Sequence, residues 1–241
     1  MTPIRLFALT LVVTLAACHT KPGDEAVSPA ATGTPPVADA HPPPDGDTVP
    51  AATEPLVSHW QCGEMRISTH FDNVADQATL SVAGRQVTLR HAMSGSGARY
   101  ADDQGNEFWS KGDSAQLTLA GEERRDCSLA DEPSPWDAAK ARNVGFRAVG
   151  NEPGWLVEVT QGEAPTLHAE LDYGARKIDV AHAQPLADSG FQGKTAKGLP
   201  VTLRIERTGC VDDMSGTKYE ASAVLSVGGK DYKGCGAYLF D

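Results

Sequence analysis

Apolar and polar residues alternate in short runs through most of the chain. Thr79-Leu80-Ser81-Val82 and Val87-Thr88-Leu89 each place every second residue on an apolar face, and Gly84-Arg85 turns between them. Period-2 runs across a glycine turn predict a β-hairpin. A second hairpin is predicted where Glu107-Phe108-Trp109-Ser110 and Ala115-Gln116-Leu117-Thr118-Leu119 flank Lys111-Gly112-Asp113. Between the two, Ser94-Gly95-Ser96-Gly97-Ala98-Arg99-Tyr100 holds two serines and two glycines at its start, the composition of a loop. Several short strands closed by Cys62 and Cys127 predict a small antiparallel β-barrel over residues 56–130. A core that small benefits from a covalent staple.

Residues 131–143 interrupt the alternation with Pro133 and Pro135, and read as a connector. Pro135–Arg142 fits a short helix with proline near its start. Alternation then resumes in Leu156–Val159, Thr166–Leu171, Lys177–Val180 and Val201–Glu206. Ala223–Val227 runs into Gly228-Gly229, a hairpin turn. The predicted class is all-β: a small antiparallel barrel, then a second β-rich domain over residues 144–241. The two halves share no visible repeat.

The N-terminus follows another pattern. Arg5 precedes the apolar run Leu6–Leu15, and Leu15-Ala16-Ala17-Cys18 follows. The run is too short for a helix across a bilayer core, which takes about 20 residues, but suits the core of a secretory signal over residues 1–17. Leucine and two alanines before a cysteine resemble the bacterial lipobox. That resemblance implies fatty acylation of Cys18, palmitate included, and attachment to a membrane without spanning it. His19 follows the cysteine in place of the aspartate that commonly retains such proteins at the inner membrane, so the expected location is the outer membrane, facing the periplasm. Residues 18–55 hold nine prolines and no aromatic residue. They bury too little to fold and read as a disordered, semi-stiff linker with a reach on the order of 100 Å.

The formal charge of −11 argues against nucleic acid and suits a basic partner. With Cys18 set aside, four cysteines remain, an even number in an exported chain. They allow three pairings. Cys62–Cys127 with Cys210–Cys235 divides the chain cleanly into halves. No C-x-x-C or paired-histidine motif points to a metal or redox centre, and no cofactor is expected.

Trp60-Gln61-Cys62, the Ser94–Tyr100 segment, Phe108-Trp109-Ser110-Lys111-Gly112 and Arg125-Asp126-Cys127 together resemble the membrane-bound inhibitors of c-type lysozyme. Ser-Gly-x-x-Tyr followed by Phe-Trp-x-Lys-Gly, in that order, carries the resemblance. It implies a β-barrel whose two loops enter the lysozyme active-site cleft, with the family's serine at Ser96, its lysine at Lys111 and its disulfide at Cys62 and Cys127. Tyr100 and Arg99 are the further candidate lysozyme contacts.

The chemistry fits such a plug. A c-type lysozyme cuts glycan with two carboxyl groups across a cleft. Lys111 offers a compact cation with three donors, and Ser96 one donor and two lone pairs. The barrel itself carries ten acidic side chains against seven basic ones, a balance that aids encounter with a basic enzyme. On its own, a lysine at a hairpin tip is ordinarily a solvated turn residue, and Tyr100 and Trp109 are ordinarily core. A Ser–Lys catalytic dyad is the rival, but an exposed lysine lacks the desolvation that would make it a base, so no catalytic residue is expected. The alternative function is a structural or small-ligand-binding envelope lipoprotein. In the second half, Phe146–Trp155 and Cys210–Tyr219 resemble uncharacterised envelope lipoproteins, which implies no activity. Asp212, Asp213 and Ser215 suit either a cation or, preferably, a capped turn.

Overall fold

The computed structural model describes residues 56–240. The signal segment, Cys18 and the linker lie outside the described residues. The barrel comprises β1 (Leu56–Cys62), β2 (Met65–Asp72), β3 (Gln77–Val82), β4 (Arg85–Ala92), β5 (Ala98–Ala101), β6 (Glu107–Lys111), β7 (Ser114–Thr118) and β8 (Arg125–Ala130). Each strand pairs antiparallel with the next, and β8 closes on β1 with Cys127 opposite Cys62. Those two cysteines form a disulfide.

Alternation delivers the core as the sequence predicts. Ala78, Leu80 and Val82 of β3 point inward, as do Phe108 of β6 and Leu117 of β7, all fully buried. Trp60 meets Phe108 edge-on at 5.4 Å, and its indole N–H donates to Thr69 Oγ1 at 3.0 Å. The first predicted hairpin turns one residue earlier than the pattern suggests. Ala83 and Gly84 both take positive φ, and Arg85 already pairs with Val82. The second turns at Gly112-Asp113, which makes Lys111 the last residue of β6.

Up-and-down winding sends successive turns to opposite ends of a barrel. Turns 73–76, 93–97 and 112–113 share one end, where the chain also enters at Leu56. Turns 63–64, 83–84, 102–106 and 119–124 share the other.

After β8 comes α1 (Pro135–Ala141), capped by Ser134, whose hydroxyl accepts from Asp137 N. Then follow β9 (Val144–Asn151), β10 (Gly154–Thr160), β11 (Leu167–Leu171), β12 (Arg176–Val180), β13 (Gln184–Pro185), β14 (Gly190–Lys194), β15 (Pro200–Glu206), β16 (Cys210–Val211), β17 (Lys218–Tyr219), β18 (Ala221–Val227) and β19 (Lys230–Tyr238). Nine of these form one antiparallel sheet, in the order β12-β11-β10-β9-β19-β18-β15-β14-β13, curled around its own core. The β16–β17 pair stands apart, and Cys210 is bridged to Cys235 of β19.

The second sheet and α1 cap the 83–84 end of the barrel. A Cβ on Gly84 would lie 2.6 Å from Ala237 Cβ and 3.2 Å from the Trp136 ring, so only glycine lets the turn seat there. Asp137 accepts hydroxyl bonds from Ser68 at 2.7 Å, Ser81 at 2.5 Å and Ser134 at 2.5 Å. Ser68 and Ser81 are cross-strand partners, and α1 buries them from outside. Lys218 Nζ donates to Ala120 O at 3.1 Å, a second tie to the same end.

Candidate functional site

Ser96 and Lys111 come together at the end of the barrel away from the second sheet. The Ser94–Gly97 segment leads into β5, and the Gly112-Asp113 turn leaves β6. Since β5 and β6 are neighbours, with Ala98 opposite Ser110, the two turns lie side by side.

Two devices hold the first loop down. Gly97 takes φ +71°, and a Cβ there would come within 2.3 Å of Ser110 O and 3.2 Å of Lys111 Cβ. Glycine therefore lets the loop backbone lie directly against the strand that ends in Lys111. The Trp109 indole N–H donates to Ser96 O at 2.8 Å. Ser94 Oγ closes the loop internally on Gly97 O at 3.1 Å. The second turn is anchored through its backbone, where Asp113 O accepts from Leu129 N at 2.9 Å.

Alternation along β6 puts Glu107, Trp109 and Lys111 on the outer face and Phe108 in the core. Lys111 is exposed and, among the described residues, takes part in no ion pair or side-chain hydrogen bond. Ser96 is exposed beside it. Between them opens a depression of about 470 Å³ bordered by Trp109, Ser114, Gln116 and Asp126. An exposed cation and a hydroxyl at the lip of a shallow, low-bulk surface suit insertion into an acidic cleft.

The other two candidate contacts are placed differently. Tyr100 is 8 % exposed and packs in the barrel against Phe71 at 5.5 Å and His91 at 5.6 Å. Burial raises its phenol pKa above the usual value. Arg99 faces outward but is engaged within the barrel: its guanidinium donates to Glu107 Oε2 at 2.8 and 2.5 Å and to Met93 O at 3.4 Å. It thus ties the start of the 93–97 loop to β6.

Trp109, expected in the core, instead faces outward, and its bond to the loop makes it a support of Ser96. The strand parity of β6, with Phe108 inward, is the signal that identifies it. Met93, the first residue of the same loop, is 92 % exposed.

In the second half, Asp212 forms the capped turn. Its Oδ1 accepts from Ser215 N at 2.7 Å, Ser215 Oγ at 2.8 Å and Met214 N at 3.2 Å, and its Oδ2 accepts from Asn151 Nδ2 at 2.6 Å. The carboxylate is thereby satisfied within the fold.

Residues 60–126 match the family model described as membrane-bound lysozyme-inhibitor of c-type lysozyme. Over 57 residues the chain is 40 % identical to the membrane-bound lysozyme inhibitor of C-type lysozyme from Yersinia enterocolitica serotype O:8 / biotype 1B (strain NCTC 13174 / 8081). That stretch is 24 % of this chain and 48 % of the relative, so the chain spans about half the length of the curated relative it matches. The part of the molecule that brings Ser96, Trp109 and Lys111 together is therefore the part similar to the membrane-bound inhibitors of c-type lysozyme.

Proposed function

We propose that this chain is a lipid-anchored envelope protein whose barrel inhibits c-type lysozyme by placing Ser96 and Lys111 in the enzyme's active-site cleft. The observation that carries the reading is the pairing of two exposed turns at one barrel end, with an unengaged lysine on one and a clamped, glycine-bearing loop on the other. The protein acts by binding, and no catalytic step is assigned to it. Lysozyme cleaves glycan between two carboxyl groups, so the Lys111 ammonium meets acceptors of opposite charge in a site from which water is excluded. Ser96 adds a neutral hydrogen bond to the same cleft. Tyr100 and Arg99 act from behind, one by fixing β5 in the core and the other by holding the loop to Glu107. Cys18 carries the lipid, and the protein faces the periplasm from the outer membrane.

Lysis of bacterial cells by lysozyme, followed by turbidity, tests this. Residues 18–241 carrying Cys18→Ser should inhibit at near-stoichiometric ratios. Lys111→Ala should weaken binding about 30-fold or more, because truncating one member of a buried charge pair typically costs about 2–5 kcal/mol. Ser96→Ala should cost about 1–3 kcal/mol. Arg124→Ala, an exposed change at the opposite end, should leave inhibition intact. Full inhibition by both loop variants would sink the cleft mechanism. The anchor is checked separately: a labelled fatty acid should enter the parent in cells, and Cys18→Ser should abolish the label.

A further inference from the structure

We infer that the loop-bearing end of the barrel carries an apolar rim that packs on c-type lysozyme outside the cleft, extending the contact to the β2–β3 turn. This rests on the inhibitory reading above and adds a second, apolar component to it.

The rim is visible in where exposed apolar side chains fall. Among the described residues, eight large hydrophobic side chains are exposed, and five of them (Leu56, Val57, Val74, Met93 and Leu129) belong to this one barrel end. Isolated exposed apolar residues are ordinary, but their collection on one face marks an interaction surface. The other end of the same barrel shows none of them.

Val74 is the clearest case. It stands 99 % exposed at the tip of the 73–76 turn, where glycine, asparagine or aspartate would serve the backbone better. Asp72 Oδ1 accepts from both Val74 N and Ala75 N at 2.9 Å, so the turn is fixed and presents the valine outward. The same turn is tied sideways to the strand that leads to Met93, since Asp76 O accepts from His91 N at 3.0 Å. Met93 in turn has its carbonyl held by Arg99. Both apolar tips are thus fixed in place before any partner arrives, which reduces the ordering cost of binding.

Charge selects the occupant. The rim carries Asp72, Asp76 and Asp113 beside Lys111, and the barrel as a whole has ten acidic side chains against seven basic ones. Such a surface repels an anionic lipid surface and favours a basic protein. It is also continuous with the Ser96–Lys111 site, which no second face of the barrel is. A basic lysozyme whose cleft receives the two loops brings its cleft edges onto this rim.

The test uses residues 18–241 with Cys18→Ser, titrated with a c-type lysozyme by calorimetry. Val74→Ser and Met93→Ser should each weaken binding by about 5-fold, and the pair by about 20-fold or more, as expected for partial burial of one apolar side chain each. Because both side chains are exposed, thermal unfolding should be unchanged. Affinities within two-fold of the parent, with Lys111→Ala still disruptive, would overturn the rim and leave the cleft mechanism standing. Flotation of the parent with anionic vesicles, lost in the double variant while lysozyme binding persists, would reassign the rim to a membrane and overturn the inference. Failure of the parent to bind lysozyme at all would remove the inhibitory reading, and the rim assignment with it.

Discussion

The two ends of the barrel are built from the same strands and solve opposite problems. At the 83–84 end, contacts close onto the rest of the fold: Gly84 admits Trp136 and Ala237, one carboxylate gathers three hydroxyls, and Lys218 reaches Ala120 O. At the 93–97 end, an exposed lysine has no partner among the described residues and apolar side chains face water. Buried groups that find partners stabilise a fold, whereas exposed groups left without partners offer themselves to another molecule. One end therefore serves the second sheet, and the other is the end proposed above to bind lysozyme.

The sharpest way to break this contrast is at Asp137. Asp137→Ala leaves Ser68, Ser81 and Ser134 without their shared acceptor beneath α1. Unfolding in denaturant should show a loss of about 2–4 kcal/mol, given that hydrogen bonds to a charged group are worth about 1.5–3 kcal/mol each and do not add fully. Lysozyme affinity per folded molecule should not move. A large affinity loss with unchanged stability would show the two ends to be coupled.

A smaller effect comes from Tyr219, which packs against Trp136 at 5.2 Å. Burial pushes its phenol up to about 12. The unfolded phenol ionises near 10, so folded and unfolded states bind the same proton below that pH. Above it the unfolded state gains charge that the folded state refuses. Stability is therefore full below pH 10 and falls as pH rises through 12, by up to about 3 kcal/mol. Tyr219→Phe should flatten that alkaline decline. An identical decline in the variant would place its origin elsewhere.

Much of the open end was legible in the sequence. Glycine-marked turns located both loops, and two ordered motifs singled out Ser96 and Lys111. Hairpins and loops are local, and their signals lie within a few residues. The closed end was not legible, because Asp137 meets Ser68 and Ser81 at sequence separations of 69 and 56. Nothing local distinguishes a serine on a solvated outer face from one under a helix. β9 departs from its own alternation at one position. Arg147 sits buried in mid-strand, paired with Glu158 and set over the Trp136 ring at 5.5 Å, so a charge occupies a position that pattern assigns to water. The Arg99 partner was not legible either, since nothing local in the sequence shows that this outward arginine pairs with Glu107 on the neighbouring strand.

The central claim is that Lys111 meets the catalytic carboxyl groups themselves, and a double-mutant cycle measures that contact directly. Lys111→Ala would be combined with a lysozyme in which one catalytic carboxyl group is replaced by its amide, and all four affinities determined. The account predicts a coupling of about 1.5 kcal/mol or more, as found for close charge pairs across interfaces. A coupling near zero, with both single changes weakening binding independently, would contradict it.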